Sequence, residues 1–201
     1  MSSRFNTLKA LGMSKNPLEA ARQIATGVEE RVDCGRVNGL YFVNVFSFGI
    51  FTTTSQRTPD ERKHRIGKLA YLIEGIKEFR SMHAVPLRVT ADGEEFDFNS
   101  LMVLVFNGET AGGFPLARRA SIKDGMFDCV LLEKRNPLLS TLSMGRYLLG
   151  GNPREVRLVR ARCIEITSPV NEPTDVDGQP GADFPLHIEC LPGELRVLCQ
   201  P

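Results

Sequence analysis

The 201 residues, 22.3 kDa, suffice for one compact domain with a sizeable core. Their 25 Lys and Arg against 24 Asp and Glu leave a formal net charge of +1, which excludes a chain held on nucleic acid by net charge and excludes an acidic disordered tail. With 42% hydrophobic and 24% charged residues the composition is that of an ordinary globular protein. Cys34, Cys129, Cys163, Cys190 and Cys199 are odd in number, scattered, and never spaced as CxxC. A secreted disulfide framework or a zinc site reads differently, so the expectation is reduced core thiols in a cytoplasmic protein. Met1-Ser2-Ser3-Arg4 leads into a polar segment without the apolar run of a secretory signal. The uncharged stretch from Val37 to Gln56 is broken by Asn38, Gly39, Asn44, Ser47, Gly49 and the Thr52–Ser55 run. It falls short of the roughly 20 predominantly apolar residues of a spanning helix, and the expectation is a soluble protein that at most rests on a membrane surface.

In chain order, the first helix starts at Asn16-Pro17, with Asn16 as N-cap, Glu19 three residues on, and Leu18, Ala21, Ile24 and Ala25 on one face; Gly27 stops it. Strands over Val28–Val37 and Tyr41–Phe48 flank Asn38-Gly39, a strong hairpin signal. A second helix is predicted from the Thr58-Pro59-Asp60-Glu61 capping box, its stripe being Ile66, Leu69, Ala70, Ile73 and Ile76. Val85–Thr90 and Glu95–Phe98 flank Asp92-Gly93, a second hairpin. Leu101–Phe106 and Met126–Leu132 are near-continuous apolar runs, as strands covered on both faces would be. A third helix follows Asn136-Pro137, is expected to bury Leu138, Leu139, Leu142 and Leu149, and ends at Gly150-Gly151. Glu155–Thr167 alternates with period two, Asp177-Gly178 turns the chain, and Phe184–Cys190 and Glu194–Cys199 finish it. The pattern predicts a mainly β chain, an antiparallel β-sandwich with about three peripheral helices, in a single domain over residues 1–201.

Few segments carry chemistry on their own. The turn from Ser121 to Met126 offers one carboxylate, Asp124, beside carbonyls freed by Gly125, and hard divalent cations take such oxygens. The alternative is an Asp-Gly turn that simply starts the next strand. Arg57, Arg62, Lys63, His64, Arg65 and Lys68, with Arg118-Arg119, form basic clusters suited to an anionic membrane surface, or to a solvated helix face balanced by Asp60, Glu61, Glu74 and Glu78. His64, His83 and His187 share no metal-ligand spacing. Ser47, Ser121 and Ser143 lack a GxSxG context, and no GxxxxGK[ST] phosphate loop occurs.

Val-Asp-Cys-Gly-Arg-Val-Asn-Gly-Leu-Tyr-Phe-Val-Asn-Val-Phe-Ser-Phe-Gly (Val32 to Gly49) resembles a segment of the diacylglycerol kinase and sphingosine kinase family of lipid kinases. The likeness continues through Ile66-Gly67-Lys68-Leu69-Ala70-Tyr71, Asn107-Gly108, Gly112-Gly113 and Ala120-Ser121-Ile122-Lys123-Asp124-Gly125-Met126-Phe127-Asp128. It ends with Asp177-Gly178-Gln179 and Leu191-Pro192-Gly193-Glu194-Leu195-Arg196-Val197. Members of that family look two-lobed, with a GGDGT-type nucleotide loop in an N-terminal domain and a C-terminal β-sandwich of the lipid kinase and NAD kinase-like fold. No GGDGT occurs here, and Ser2–Gly12 stand where the family reads "GTxNDFARxLG". The chain therefore resembles the C-terminal domain alone.

The resemblance implies a structural Mg²⁺ held by the Asp124 side chain and the carbonyls of Ser121 and Met126. ATP would enter only with the N-terminal lobe. The implied substrate is a lipid such as diacylglycerol, met by a cytoplasmic protein at the inner membrane surface, without nucleic acid as a partner and with a homodimer as an admissible assembly. It also makes Asp177-Gly178-Gln179 the catalytic turn. The family has Glu as general base at the third position. Gln179 is an amide and takes no proton at any working pH, so the roughly 10²–10⁴-fold contribution of a positioned base would be missing. Asp175 and Asp183 are the neighbouring carboxylates that could deputise. The alternative function is a non-catalytic lipid- or ligand-binding module.

Overall fold

The computed structural model describes residues 13–14, 16–49, 83–108, 110–111, 114–115, 117 and 120–199. The predicted helix at 58–76 lies outside them. The described elements are α1 (Pro17–Thr26), β1 (Val28–Val37), β2 (Leu40–Phe42), β3 (Val45–Gly49), β4 (Val85–Ala91), β5 (Glu94–Phe106), β6 (Thr110–Ala111), β7 (Phe114–Pro115), β8 (Phe127–Glu133), α2 (Pro137–Leu148), β9 (Val156–Ala161), β10 (Cys163–Thr167), β11 (Thr174–Val176), β12 (Gln179–Pro180) and β13 (Leu186–Cys199). Neither helix is long and apolar enough to cross a membrane.

Eleven of these strands form one antiparallel sheet that curls on itself, and the short β6–β7 pair stands apart. Strand β5 makes the curl. Its first half, 94–100, pairs β4, while its second half, 102–106, lies between β3 and β8. One half-sheet thus runs β12-β11-β3-β5-β8-β9, and the other β5-β4-β10-β13-β1-β2. The two face each other across a core that takes Phe46, Phe48, Val103, Val105, Phe127, Cys129 and Leu131 from the first, and Val37, Phe42, Val85, Leu87, Val89, Ile164, Ile166, Leu186 and Ile188 from the second. Phe42 stacks on Phe127 across the two halves, ring centroids 5.4 Å apart. With no Trp in the chain, such phenylalanines supply the volume. Each fully buried one stabilises the fold by about 1.5–3 kcal/mol relative to exposure.

The expected double coverage of Leu101–Phe106 and Met126–Leu132 holds. Val103 and Val105 face the inner core, whereas Met102, Leu104, Phe106, Val130 and Leu132 join a second cluster on the outer face with Met144 of α2. The thiols are free, four buried and Cys163 half-buried. Burial pushes the Cys129 and Cys190 thiols up to about 12, as inert core cysteines require.

Three strand assignments change. Tyr41–Phe48 breaks at Val43-Asn44 into β2 and β3. Glu155–Thr167 bends at Arg162 into β9 and β10. Phe184–Cys190 and Glu194–Cys199 fuse into the single strand β13. The helix faces differ as well. No residue of α1 is buried, Leu18 and Ile24 included. On α2 it is Ser140, Ser143 and Met144 that face the sheet, while Leu139 and Leu142, and Leu149 just past its end, are exposed (49%, 66% and 90%). The Leu138 side chain lies outside the described residues. Leu101, Met102, Leu104, Val130 and Leu132 already fill the outer face of β5 and β8, so small serines let the helix settle closely. The Ser143 hydroxyl donates to Glu155 (2.7 Å), and Ser140 Oγ accepts the Arg135 N–H (3.3 Å).

Leu142→Ser should therefore change stability by no more than about 0.5 kcal/mol, and Met144→Ala should cost about 2–5 kcal/mol. Urea unfolding of the two variants checks this; a larger loss from Leu142→Ser would restore the leucine-in orientation.

Candidate functional site

The three hairpin turns read from the sequence share one backbone conformation. Asn38, Asp92 and Asp177 have φ of 44°, 47° and 51°, and the glycines that follow have 89°, 90° and 91°; these are type I′ turns, which match the twist of paired strands. Asn and Asp tolerate the left-handed region, and here their side chains serve a second purpose. Asn38 Oδ1 accepts the His187 N–H (2.9 Å), and its amide donates to the carbonyls of Asp183 and Pro185 (3.0 and 2.8 Å). Asp92 accepts the N–H groups of Arg162 and Cys163 where β9 bends into β10. Asp177 accepts from Val43 (2.6 Å), Asn44 (3.1 Å) and Val45 (3.1 Å) at the β2–β3 break. Each turn residue ties its hairpin to a distant corner.

Register places the two candidate sites at one end of the sandwich. Val176 pairs both Gln179 and Phe46, Phe46 pairs Val105, and Val105 pairs Cys129. One step further toward the end, Val45 pairs Phe106, Phe106 pairs Asp128, and Asp128 pairs Arg160. The Asp177-Gly178 turn, the end of β5 at Asn107, the Ser121–Met126 turn before β8, and the bend after Arg160 thus share that end.

Hydrogen bonds link them. Asn107, fully buried, donates through its amide to the carbonyls of Asp33 (2.7 Å) and Val43 (3.0 Å), while its N–H goes to Asn44 (2.9 Å). Its Oδ1 is buried with no hydrogen-bond partner. Asp33, 2% exposed, accepts from Gly125 (2.7 Å) and Gly193 (2.9 Å), and its own N–H donates to Ile122 (2.7 Å). Gly125 and Gly193 both have positive φ, 70° and 62°, the conformation that aims each N–H at the carboxylate without a Cβ penalty. The β1–β13 register slips between Val32 and Cys34. This bulge puts Asp33 opposite Pro192-Gly193, where Pro192 has no N–H to offer the ladder.

Within this frame the sequence-predicted residues have distinct fates. Asp177 is spent on the corner, and the Asp175 carboxylate, buried, accepts the Gly178 N–H (2.7 Å). Asp183 is exposed and takes the Asn171 amide. Gln179, on β12, is exposed to solvent beside the turn. In the second turn, Asp124 Oδ1 accepts the Met126 N–H (3.1 Å) and Oδ2 holds Arg160 at 2.6 Å. Lys123, adjacent in sequence, turns instead to Glu30, which it holds below the usual carboxylate range. Ser121 Oγ accepts the Lys123 N–H. The donor set is all oxygen, one carboxylate with neighbouring carbonyls, and so suits a hard dication; Arg160 is the competitor such a cation meets.

Sequence reasoning missed Asp33, Asn107 and Arg160 as members of the site. Asp33 and Asn107 stood inside quoted motifs without a role, and Arg160 showed only as part of an alternation. The basic residues at 57–68, Gly112-Gly113 and Arg118-Arg119 lie outside the described residues. A hollow of about 660 Å³, lined by Arg88, Asp97, Glu133 and Thr167 among others, is at the opposite end. Its Arg88 and Asp97 already pair with each other.

Residues 44–199 match the family described as the YegS C-terminal NAD kinase beta sandwich-like domain. The chain is 30% identical over 195 residues to a diacylglycerol kinase of Bacillus subtilis, covering 94% of this chain and 64% of the relative. It is 32% identical over 186 residues to a Pseudomonas aeruginosa protein named "Probable lipid kinase YegS-like", covering 90% and 61%. A crystal structure of a diacylglycerol kinase from Bacillus anthracis str. Sterne superposes with a TM-score of 0.76 at 24% identity, covering 96% of this chain and 64% of that one, a likeness that carries the fold. The chain spans somewhat over three fifths of the length of these relatives.

Asp33→Ala leaves the partly buried Gly125 and Gly193 N–H groups without their acceptor and should cost about 1–3 kcal/mol. Asp33→Asn keeps one acceptor oxygen and should cost less. Urea unfolding compared at equal m-value tests both, and a neutral Asp33→Ala would mean that the two turns hold themselves.

Proposed function

The chain belongs to the family of the YegS C-terminal NAD kinase beta sandwich-like domain, and from that premise we propose that it is the lipid-facing domain of a kinase that transfers phosphate from ATP to the hydroxyl of a lipid such as diacylglycerol. The names of the curated relatives, diacylglycerol kinase and lipid kinase, support the substrate class. Nucleotide binding falls to the part of those longer proteins beyond this match. The observation that carries the reading is the type I′ turn at Asp177-Gly178, which leaves residue 179 exposed at the same end of the sandwich as the Asp124 turn.

The roles divide by what each group has left to give. Asp177 fixes the turn through three backbone N–H groups and has no part in proton transfer. Gln179 can hydrogen-bond a lipid hydroxyl but cannot take its proton. Phosphoryl transfer rests mainly on positioning and charge stabilisation, so turnover without a base at 179 is slow rather than nil. Asp124, with the carbonyls of Ser121 and Met126, would hold a Mg²⁺ that stiffens the turn before β8, in competition with Arg160. Gln179 also favours a second reading, a lipid-binding module that no longer turns over.

Two measurements test these assignments. Millimolar Mg²⁺ should raise the melting temperature of the wild type by mass action, should not raise that of Asp124→Asn, and should act more strongly on Arg160→Ala. Equal melting temperatures with Mg²⁺ and with EDTA in all three would remove the metal. With the nucleotide-binding lobe joined, ATP-dependent phosphorylation of diacylglycerol in vesicles should be slow. Gln179→Glu should accelerate it toward the lower part of the roughly 10²–10⁴-fold range of a positioned base. A fast wild-type rate unmoved by Gln179→Glu would overturn the assignment of this turn.

A further inference from the structure

The outer face of the second half-sheet carries a group of side chains that the lipid-kinase reading does not use. Glu165 of β10 and His187 of β13 are direct cross-strand partners, and Cys163 pairs Glu189 two residues away on the same face. Cys163 Sγ, a Glu165 carboxylate oxygen and a His187 ring nitrogen all lie within 4.8 Å of one another. His187 Nδ1 is 3.3 Å from Glu165 Oε1. We propose that Cys163, Glu165 and His187 form a binding site for a borderline-soft divalent cation of the Zn²⁺ class, with water as the fourth ligand.

The donor chemistry points to that class. One thiolate, one imidazole and one carboxylate make a mixed S, N, O set of the kind Zn²⁺ takes, whereas Mg²⁺ and Ca²⁺ prefer oxygen alone. Bond lengths of about 2.0 Å to N and O and about 2.3 Å to S place tetrahedral ligand atoms about 3.3–3.8 Å apart. The His187–Glu165 pair, at 3.3 Å, is already at that spacing and Cys163 Sγ lies within 4.8 Å of both, while the Glu165 and His187 side chains, 58% and 55% exposed, have room for the remaining rotation. Strand β10 lies between β4 and β13, and β13 between β10 and β1, so the ligands project from strands bonded on both sides, and the cost of ordering them falls.

The surroundings favour a dication. Burial pushes the Cys163 thiol up, and Glu165, Glu189 and Asp92 push it the same way. The carboxylates that resist a bare thiolate are those that attract a cation. The Asp92 carboxylate also accepts the Cys163 N–H at 2.8 Å, fixing the residue at the start of β10. From the neighbouring strands, Thr90 of β4 faces Glu165, Arg88 is occupied by Glu95 and Asp97, and Arg36 of β1 is held by Glu189. Coordination replaces the S–H bond by an S–metal bond and releases that proton to solvent. A cross-strand ion pair explains Glu165 with His187 but gives Cys163 no purpose in the cluster, and an exposed pair contributes only about 0–1 kcal/mol.

No spacing rule finds this site, because Cys163-x-Glu165 and His187 meet only through strand pairing. The proposal does not rest on the lipid-kinase reading. Co²⁺ titration of the whole chain tests it, since a thiolate ligand gives a near-ultraviolet charge-transfer band and tetrahedral geometry an intense visible spectrum. One equivalent should bind with both features, and Zn²⁺ should displace it. Cys163→Ser should abolish the charge-transfer band, and His187→Ala, which removes an exposed ligand from the other strand, should weaken binding by at least the roughly 10–100-fold that loss of a supporting group costs. A band that survives Cys163→Ser, Co²⁺ bound with a purely octahedral spectrum, or equal affinity in wild type and His187→Ala would each overturn the proposal.

Discussion

At three corners of the described sheet, backbone N–H groups lose their ladder partners, and the carboxylate of Asp33, Asp92 or Asp177, distant in the chain, accepts them. Buried backbone donors must find an acceptor, and at the site end Asp33 and Asp177 are the acceptors. Asp177 takes three consecutive N–H groups where β2 breaks into β3. Asp33 takes two from left-handed glycines in separate turns. Asn107 joins them, giving its amide to the carbonyl of Asp33 and to the carbonyl of Val43, at the corner Asp177 holds. The turn that carries Gln179 and the turn that carries Asp124 are thereby fixed with respect to one another through this one network.

Scaffold and chemistry separate accordingly. The acidic residue most conspicuous in the Asp177-Gly178-Gln179 triplet belongs to the scaffold, and the neighbouring Asp175 is occupied by Gly178. What remains exposed at the turn is the amide of Gln179. At the other turn, Asp124 is shared between its own loop and Arg160, so a cation there competes with a guanidinium fixed on the adjacent strand. Under the proposed kinase reading, both turns are held in place, while the groups that would do proton transfer and cation binding are weakened in different ways.

The fold was legible where its determinants are local. Asn38-Gly39, Asp92-Gly93 and Asp177-Gly178 announced their hairpins because Asn or Asp followed by Gly is what two left-handed residues demand. The apolar runs at 101–106 and 126–132 announced strands covered on both faces. Leu139 and Leu142 were misread because periodicity reports which residues share a helix face, not whether that face or its opposite meets the sheet. Here close approach to an already filled surface selected Ser140, Ser143 and Met144. Of the site, the turn residues were visible and their partners were not. Asp33 meets Gly125 and Gly193 across separations of 92 and 160 residues, and Asn107 meets Asp33 across 74. Only strand register brings them together.

If one network holds both turns, residue-resolved amide hydrogen exchange in Asn107→Ala will register it at both. Exchange is read relative to the slowest amides of β5 and β8, so that global destabilisation cancels. Exchange should quicken in two places at once, at Val43–Val45 beside the Asp177 turn and at Gly125 and Gly193 around Asp33. Loss of protection confined to the immediate neighbours of residue 107, with both distant sets unchanged, would contradict it.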